Sequence, residues 1–301
     1  MANWAALNHD LLVEIVWRIT WYDDFVAFGG VCTSWRSAAS ILNFRSKSPQ
    51  MPWLMLPSKV DRNLRGFFSV TKGATRQIIL PKAYAKKCFS SRGFLITPGD
   101  NVWTTIDEWN GYYFDITYFN GKFYTINSKG TIMACDIKDD RSIETYTTAQ
   151  LPNRIKLKDL HKLYILESAG KLLVVLRKGV YLHSMKEDES KSNYGTYAFQ
   201  IFEVDICSNT CDEVKNLGKR ALFLGDNSSL SIEVLDVTRC KSNCIYFTDD
   251  CRESYSAPCF CGGGGGKDMG IYNIQDESIE PYIRSNFCEL VTPPLWVEQS
   301  F

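Results

Sequence analysis

The sequence predicts an α+β chain: a small module of three helices at the N-terminus, then a large all-β domain. Three observations carry this. Aliphatic residues recur every three or four positions over the first forty residues. From about Gly66 onward the apolar pattern changes to period two. The β region also repeats one form: an apolar strand, a small turn, Gly-Lys, and a second apolar strand.

Leu7, Leu11, Leu12, Ile15 and Ile19 are spaced to lie along one helix face. Asn8, His9 or Asp10 can cap its N-terminus. A second short helix starts at Asp23 or Asp24 and carries Phe25, Val26 and Phe28, with Gly29 and Gly30 weakening or ending it. Thr33 or Ser34 caps a third, from Trp35 to Ile41. Pro49, Pro52 and Pro57 follow in a stretch that reads as a linker. The expected units are the helical module at 1–45, the linker at 46–65 and the β domain at 66–301.

Strand candidates in the β domain are rich in β-branched and aromatic residues and separated by turn residues. They are Arg76–Leu80, Tyr113–Phe119, Lys122–Asn127, Thr131–Ile137, Lys162–Glu167, Lys171–Arg177, Phe199–Ile206, Ala221–Gly225 and Cys244–Thr248. Asn120-Gly121 is a strong hairpin turn signal. Ser128-Lys129-Gly130 and Ser168-Ala169-Gly170 read as similar turns. YFNGKFYTINSKGTIMACDI and LYILESAGKLLVVLRKG share one hairpin form, and NCIYFTDD with MGIYNIQDESIEPY repeats it with a longer connection. Recurrent hairpins of this kind favour a β-propeller-like domain over a sandwich.

The totals exclude several classes. Lys+Arg and Asp+Glu balance at 34 each, so nothing draws the chain as a whole to nucleic acid or an anionic membrane. Lys82, Lys86 and Lys87 form the most basic stretch and read as a solvated face. The longest apolar runs, such as Leu172 to Leu176, are strand-sized. MANWAALNHD has no basic segment followed by an apolar one, so no signal peptide is expected. A cytoplasmic or nuclear location follows as an expectation, with the 11 cysteines reduced.

The segment LNHDLLVEIVWRI, followed about a dozen residues later by VCTSWR, resembles the F-box. The match covers Leu7, Leu11, Leu12, Glu14, Ile15, Arg18 and Ile19, then Val31, Cys32, Trp35 and Arg36. Further along, YFNGKFYTINSKGTIMACDI, RALFLGDNSSLSIE, NCIYFTDD, DMGIYNIQDESIEPY and PPLWVEQS are similar, in order, to plant F-box proteins of the KIB-type β-propeller family. That resemblance implies a substrate-receptor subunit of an SCF-type ubiquitin ligase, without catalytic activity of its own. It implies that Leu7, Leu11, Leu12, Ile15, Ile19, Val31, Cys32 and Trp35 dock on a Skp-family adaptor and through it on cullin. The propeller would then hold a target protein that the sequence does not name.

The chain departs from the family pattern in two ways. Asn8 stands where a proline is usual, and Gly29-Gly30 where a sturdier helix is common; both would weaken adaptor binding. In SSRGFLITPGDNVWTTID (90–107), two strands that relatives keep well apart are fused at Thr97-Pro98, as if about a blade of the propeller were missing. The rival reading is a free-standing propeller binder, or a shortened relative with a degenerate F-box.

Other motifs read as decoys. PCFCGGGGGKDMG has Cys261 at the first P-loop position and Asp268 after Lys267, where a hydroxyl should hold magnesium. It reads as a glycine loop between strands. Cys207 with Cys211, and Cys240 with Cys244, have zinc-pair spacing, with Cys251, Cys259 and Cys261 beyond. Cysteine in a strand-like run is more often a small buried hydrophobe. His9, His161 and His183 have no ligand spacing. Asp139-Asp140 and Asp249-Asp250 read as turn residues. No catalytic residue, metal or cofactor is therefore expected. Of the aromatics near the fusion, Trp103, Trp109, Tyr112, Tyr113 and Phe114, each reads first as core.

Overall fold

Asn8 starts the first helix. Its backbone is extended (φ −60°, ψ 142°) and its side-chain oxygen accepts a hydrogen bond from the Asp10 N–H at 3.3 Å. That satisfies one of the donors a helix start leaves open. Helix α1 (His9–Arg18) carries Asp10 in its first turn and Arg18 in its last, both of favourable sign for the helix dipole. A 3₁₀ turn (Trp4–Ala6) precedes it; α2 (Tyr22–Gly29) and α3 (Thr33–Ala38) follow. Cys32, not Thr33 or Ser34, is the residue before α3, with an extended backbone and no side-chain cap. The computed structural model describes residues 4–19, 22–40, 51–56, 64–70, 73–79, 113–137, 143–153, 155, 161–179, 195–226, 229–235, 240–250, 268–281 and 294–297.

The described β residues form four sheets. In the first, β1 (Trp53–Leu56), β2 (Leu64–Ser69) and β3 (Ala74–Ile79) are joined by β17 (Leu295–Val297), in the order β17-β1-β2-β3. The second is a meander of β4 (Tyr113–Phe119), β5 (Lys122–Asn127), β6 (Thr131–Ile137) and β7 (Ile143–Gln150). The third is a meander of β8 (His161–Ser168), β9 (Lys171–Lys178), β10 (Ala198–Asp205) and β11 (Thr210–Val214).

The fourth holds β12 (Arg220–Leu224), β13 (Leu230–Glu233), β14 (Cys244–Phe247), β15 (Gly270–Asn273) and β16 (Ile279–Glu280), in the order β13-β12-β14-β15-β16. Neighbours are antiparallel except β12 and β14, which run parallel.

The hairpin turns sit where their residues require. Asn120 and Gly121 both have positive φ, 46° and 82°, as a two-residue turn of matching twist demands. Ala169 and Gly170 do the same between β8 and β9, at 51° and 77°. Asn127 organises the next turn: its side-chain oxygen accepts from the Lys129 and Thr131 N–H groups, each at 3.0 Å.

The sheets pack face to face. Ile126, Ile132 and Ala134 of the second sheet share a core with Ile165, Val174 and Phe202 of the third. Val175, Ile201 and Phe199 of the third share another with Leu222, Ile245 and Tyr272 of the fourth. Leu54, Phe68 and Trp296 of the first meet Phe223 and Tyr246 of the fourth. Successive small sheets stacked by their faces, with β4 beside β8 and β8 beside β13, form the blades of a β-propeller.

The strand Trp53–Leu56 falls inside the stretch 46–65 that reads as a linker, and β2 begins at Leu64, before Gly66. The fused strands at Thr97-Pro98, Trp103, Trp109, Tyr112 and the basic Lys82, Lys86 and Lys87 lie outside the described residues. Among the described residues, no helix is long and apolar enough to cross a membrane.

Candidate functional site

The three helices bury a small core of their own. Leu12, Val16, Phe25, Phe28 and Ala38 fill it, and Leu7, Val13, Ile15, Ile19, Trp35 and Ala39 pack around them. Of the eight residues predicted to dock on a partner, Leu12 is fully buried, so its side chain braces the module from within. Leu7, Ile15, Ile19, Cys32 and Trp35 are half-buried. Leu11 and Val31 are the outward-facing members, 54% and 58% exposed. Val26 on α2, outside the predicted set, is also 52% exposed. These three aliphatics leave apolar surface in water that a partner could cover.

Trp35 does structural work inside this module. Its ring packs on Phe28 with centroids 4.4 Å apart and planes tilted by 32°, and its indole N–H donates to the Trp4 carbonyl at 3.0 Å. One side chain thus ties α3 to α2 and to the opening 3₁₀ turn. The glycine pair also has a function. A Cβ on Gly29 would stand 3.3 Å from the Cβ of Ala39, so glycine allows the end of α2 to approach the end of α3 closely. Arg36 Nε then donates to the Gly29 carbonyl at 3.2 Å. Asn8, the other departure from the family pattern, is the cap of α1. Glu14 and Arg18 form an exposed i,i+4 pair at 3.3 Å, a contact of little energetic weight.

The strongest electrostatics lie in the propeller, where sequence reasoning expected none. Arg177 at the end of β9 is fully buried. Its Nη1 donates to Asp250 at 2.9 Å, to the Thr248 carbonyl at 2.8 Å and to the Tyr164 hydroxyl at 3.0 Å. Its Nη2 donates to Asp268 Oδ2 at 2.9 Å, and its Nε to the Thr196 hydroxyl at 2.6 Å.

The guanidinium lies over the rings of Phe247 and Phe199, 4.8 and 6.0 Å from their centroids. Burial alone would push its pKa down; Tyr164, Asp250 and Asp268 more than offset this and raise it. Lys162 adds a second cation, 2.8 Å from Asp250 and 3.7 Å from Asp226.

Asp250 was read as a turn residue; it is a buried partner of two cations. The readable signal was an arginine ending an unbroken apolar run, LLVVLR, with no alternation to turn it outward. The cluster joins the third and fourth sheets and holds both flanks of the stretch 251–267.

The remaining candidates are dispersed. Cys240 and Cys244 are buried and Cys207 is exposed. Burial pushes the Cys240 and Cys211 thiols up to about 11, which makes them poor nucleophiles. Among the described residues, no three His, Cys, Asp or Glu are grouped to hold a metal. His9 opens α1 on the surface; Phe114 is 37% exposed on β4. His183, Asp139, Asp140, Cys251, Cys259, Cys261 and Lys267 lie outside the described residues.

Comparison with known proteins agrees with this architecture. A probable F-box protein of Arabidopsis thaliana is 28% identical over 187 residues, 60% of this chain and 42% of the relative. A putative F-box protein of the same plant is 27% identical over 60% of this chain and 46% of the relative. The Arabidopsis F-box protein SKIP23 is 22% identical over 65% of this chain and 48% of the relative. The chain therefore spans about half the length of the curated relatives it matches. Residues 68–273 match the profile of the KIB1-4 beta-propeller, which takes in β3 to β15 and most of the domain. The chain belongs to the KIB1-4 β-propeller family.

Proposed function

We propose that this chain is the substrate-receptor subunit of an SCF-type ubiquitin ligase. The helical module docks on a Skp-family adaptor, and through it on cullin. The propeller holds a target protein close to the ubiquitin-transfer machinery and so raises the effective concentration of the two. The receptor supplies binding and geometry, and the chemistry belongs to its partners.

One observation carries this reading furthest. The module's core is already filled by Leu12, Val16, Phe25, Phe28 and Ala38, yet Leu11 and Val31 remain more than half exposed. Both fall within the F-box-like pattern, and the matched relatives bear the name F-box protein. A module this small has little core to spare, so apolar side chains left outside favour a partner. Leu11 and Val31 form the centre of the docking face in this reading, with Leu7, Ile15, Ile19, Cys32 and Trp35 at its base.

The test is co-purification of the full chain with a plant Skp-family adaptor, beside Leu11→Asp and Val31→Asp. A carboxylate at either position would be buried unpaired in the complex. Co-elution of the wild type, lost in both variants while their helical circular dichroism is kept, supports the reading. If folded variants co-elute as the wild type does, the docking face is elsewhere. If the folded wild type does not bind, the receptor reading fails.

A further inference from the structure

Asp115 sits where three sheets meet. It lies on β4, just past a bulge between Tyr113 and Asp115 that re-aims the strand. Its Oδ1 accepts from the Ile116 N–H at 2.9 Å. Its Oδ2 accepts from the Ile165 N–H of β8 at 3.0 Å, and from the hydroxyl of Ser229, beside β13, at 3.0 Å. β4 and β8 are each edge strands of their sheets. An edge amide enclosed by neighbouring sheets needs an acceptor, and Asp115 supplies it for Ile165.

Two physical effects oppose each other at this carboxyl. Three converging donors favour the anion, and enclosure between sheets favours the neutral acid. Ser229 accommodates either state, because a hydroxyl can donate to a carboxylate or accept from a carboxylic acid at the same distance. We propose that Asp115 and Ser229 form a proton-linked junction: the propeller takes up one proton here as three sheets close, and coheres less tightly when that proton leaves. This holds whatever the domain binds.

Burial pushes the Asp115 carboxyl up to about 7, against the pull of its donors and of Lys162. In an unfolded chain an aspartate titrates near ~3.9. A folded value above the unfolded one gives stability that is complete below about pH 4 and is lost as pH climbs towards about 7. Within that window this one group raises the unfolding constant by up to about tenfold per pH unit.

The ionisable groups on the packed elements are His161, Lys162, Tyr164 and Glu167 on β8, Lys122 and Tyr124 on β5, Glu233 on β13, and Asp226 near Ser229. Lys162 acts on Asp115 by its charge, and its ammonium is already held by Asp250 and Asp226.

The experiment is urea unfolding of the full chain from pH 5 to pH 8, wild type beside Asp115→Asn. Asparagine mimics the neutral acid. The wild type should fall further behind as pH rises, the gap in unfolding constant widening by about a hundredfold from pH 5 to pH 8. A constant gap across the range would overturn the proposal. Should Asp115→Asn not fold, Ser229→Ala decides. Removing that donor should move the wild-type transition to higher pH, and an unmoved transition would equally overturn it.

Discussion

Arg177 and Asp268 meet at 2.9 Å across 91 positions of sequence, and both are buried. The carboxylate also accepts from the Thr196 N–H and hydroxyl, at 2.9 and 2.8 Å. The pair therefore joins β9, the approach to β10 and the approach to β15. Such a contact is costly to make and more costly to break, because the surviving partner is left charged in a dry place.

Arg177→Met should cost about 3–5 kcal/mol, measured by urea unfolding at pH 7. Adding Asp268→Asn to the same chain should recover part of that, since the stranded charge goes with it, whereas Asp250 keeps Lys162 at 2.8 Å. A loss under 1 kcal/mol in the single variant would mean that the guanidinium is not the centre of the cluster.

Lys162→Met should make the domain more sensitive to acid. Burial by itself would raise the Asp250 pKa, but Lys162 and Arg177 hold it below the usual carboxylate value. A depressed carboxylate contributes stability above its unfolded pKa and loses it as pH falls through the folded one. Without Lys162 the folded value rises, so the loss is complete at a higher pH. Near-ultraviolet circular dichroism against pH should show the acid midpoint shifted upward. An unshifted midpoint would leave Arg177 and the Tyr164 hydroxyl as the supports of the anion.

Gly179→Ala should be among the most damaging single-methyl changes in the chain. Gly179 has φ +94°, and a Cβ there would lie 2.5 Å from the Tyr197 ring and 2.6 Å from the Gly195 carbonyl oxygen. Overpacking and backbone strain together predict a loss of about 2–4 kcal/mol. Gly170→Ala is the matched control. Its φ is +77° with nothing within 4 Å of the new Cβ, so only backbone strain of about 1–2 kcal/mol is expected. Equal losses in the two variants would show that the approach of Tyr197 is not tight.

Trp35→Phe separates the two contacts of that residue. The phenyl ring keeps the packing on Phe28 and loses the bond to the Trp4 carbonyl, an expected cost of about 0.5–1.5 kcal/mol. Trp35→Ala loses both and should cost about 3 kcal/mol, read from helical circular dichroism on heating the full chain. If both variants melt alike, the hydrogen bond rather than the ring packing holds α3.

The sequence made the regular parts of the fold legible. Tyr113–Phe119, Lys122–Asn127 and Thr131–Ile137 match β4, β5 and β6 residue for residue, because alternation and the Asn120-Gly121 turn fix both face and register. Trp53–Leu56 escaped detection because WLML is apolar throughout, between Pro52 and Pro57, and only its neighbours make it a strand. The parallel pairing of β12 with β14 was equally hidden, since no local signal says which strand lies next to which.

On the helical module, spacing placed the aliphatic residues on one helix face. It could not separate Leu11 from Leu12, which are adjacent in sequence but point to water and to core. Arg177 was missed because its partners come from two distant segments, and a contact across 91 positions leaves no trace in local pattern.

The pairing of β1 with β17 sets the order of events in the cell. Trp53 lies opposite Val297, so the first described strand of the domain gains its outer neighbour from the last described one. At about 5–20 residues per second, a ribosome needs roughly 12–50 s to travel from one to the other. Through that interval Leu54 lacks Trp296 beside it, although in the finished protein both are fully buried. Chaperone demand should therefore fall late, when β17 emerges, and a message cut short before its codons would yield a chain in which β1 lacks its outer neighbour.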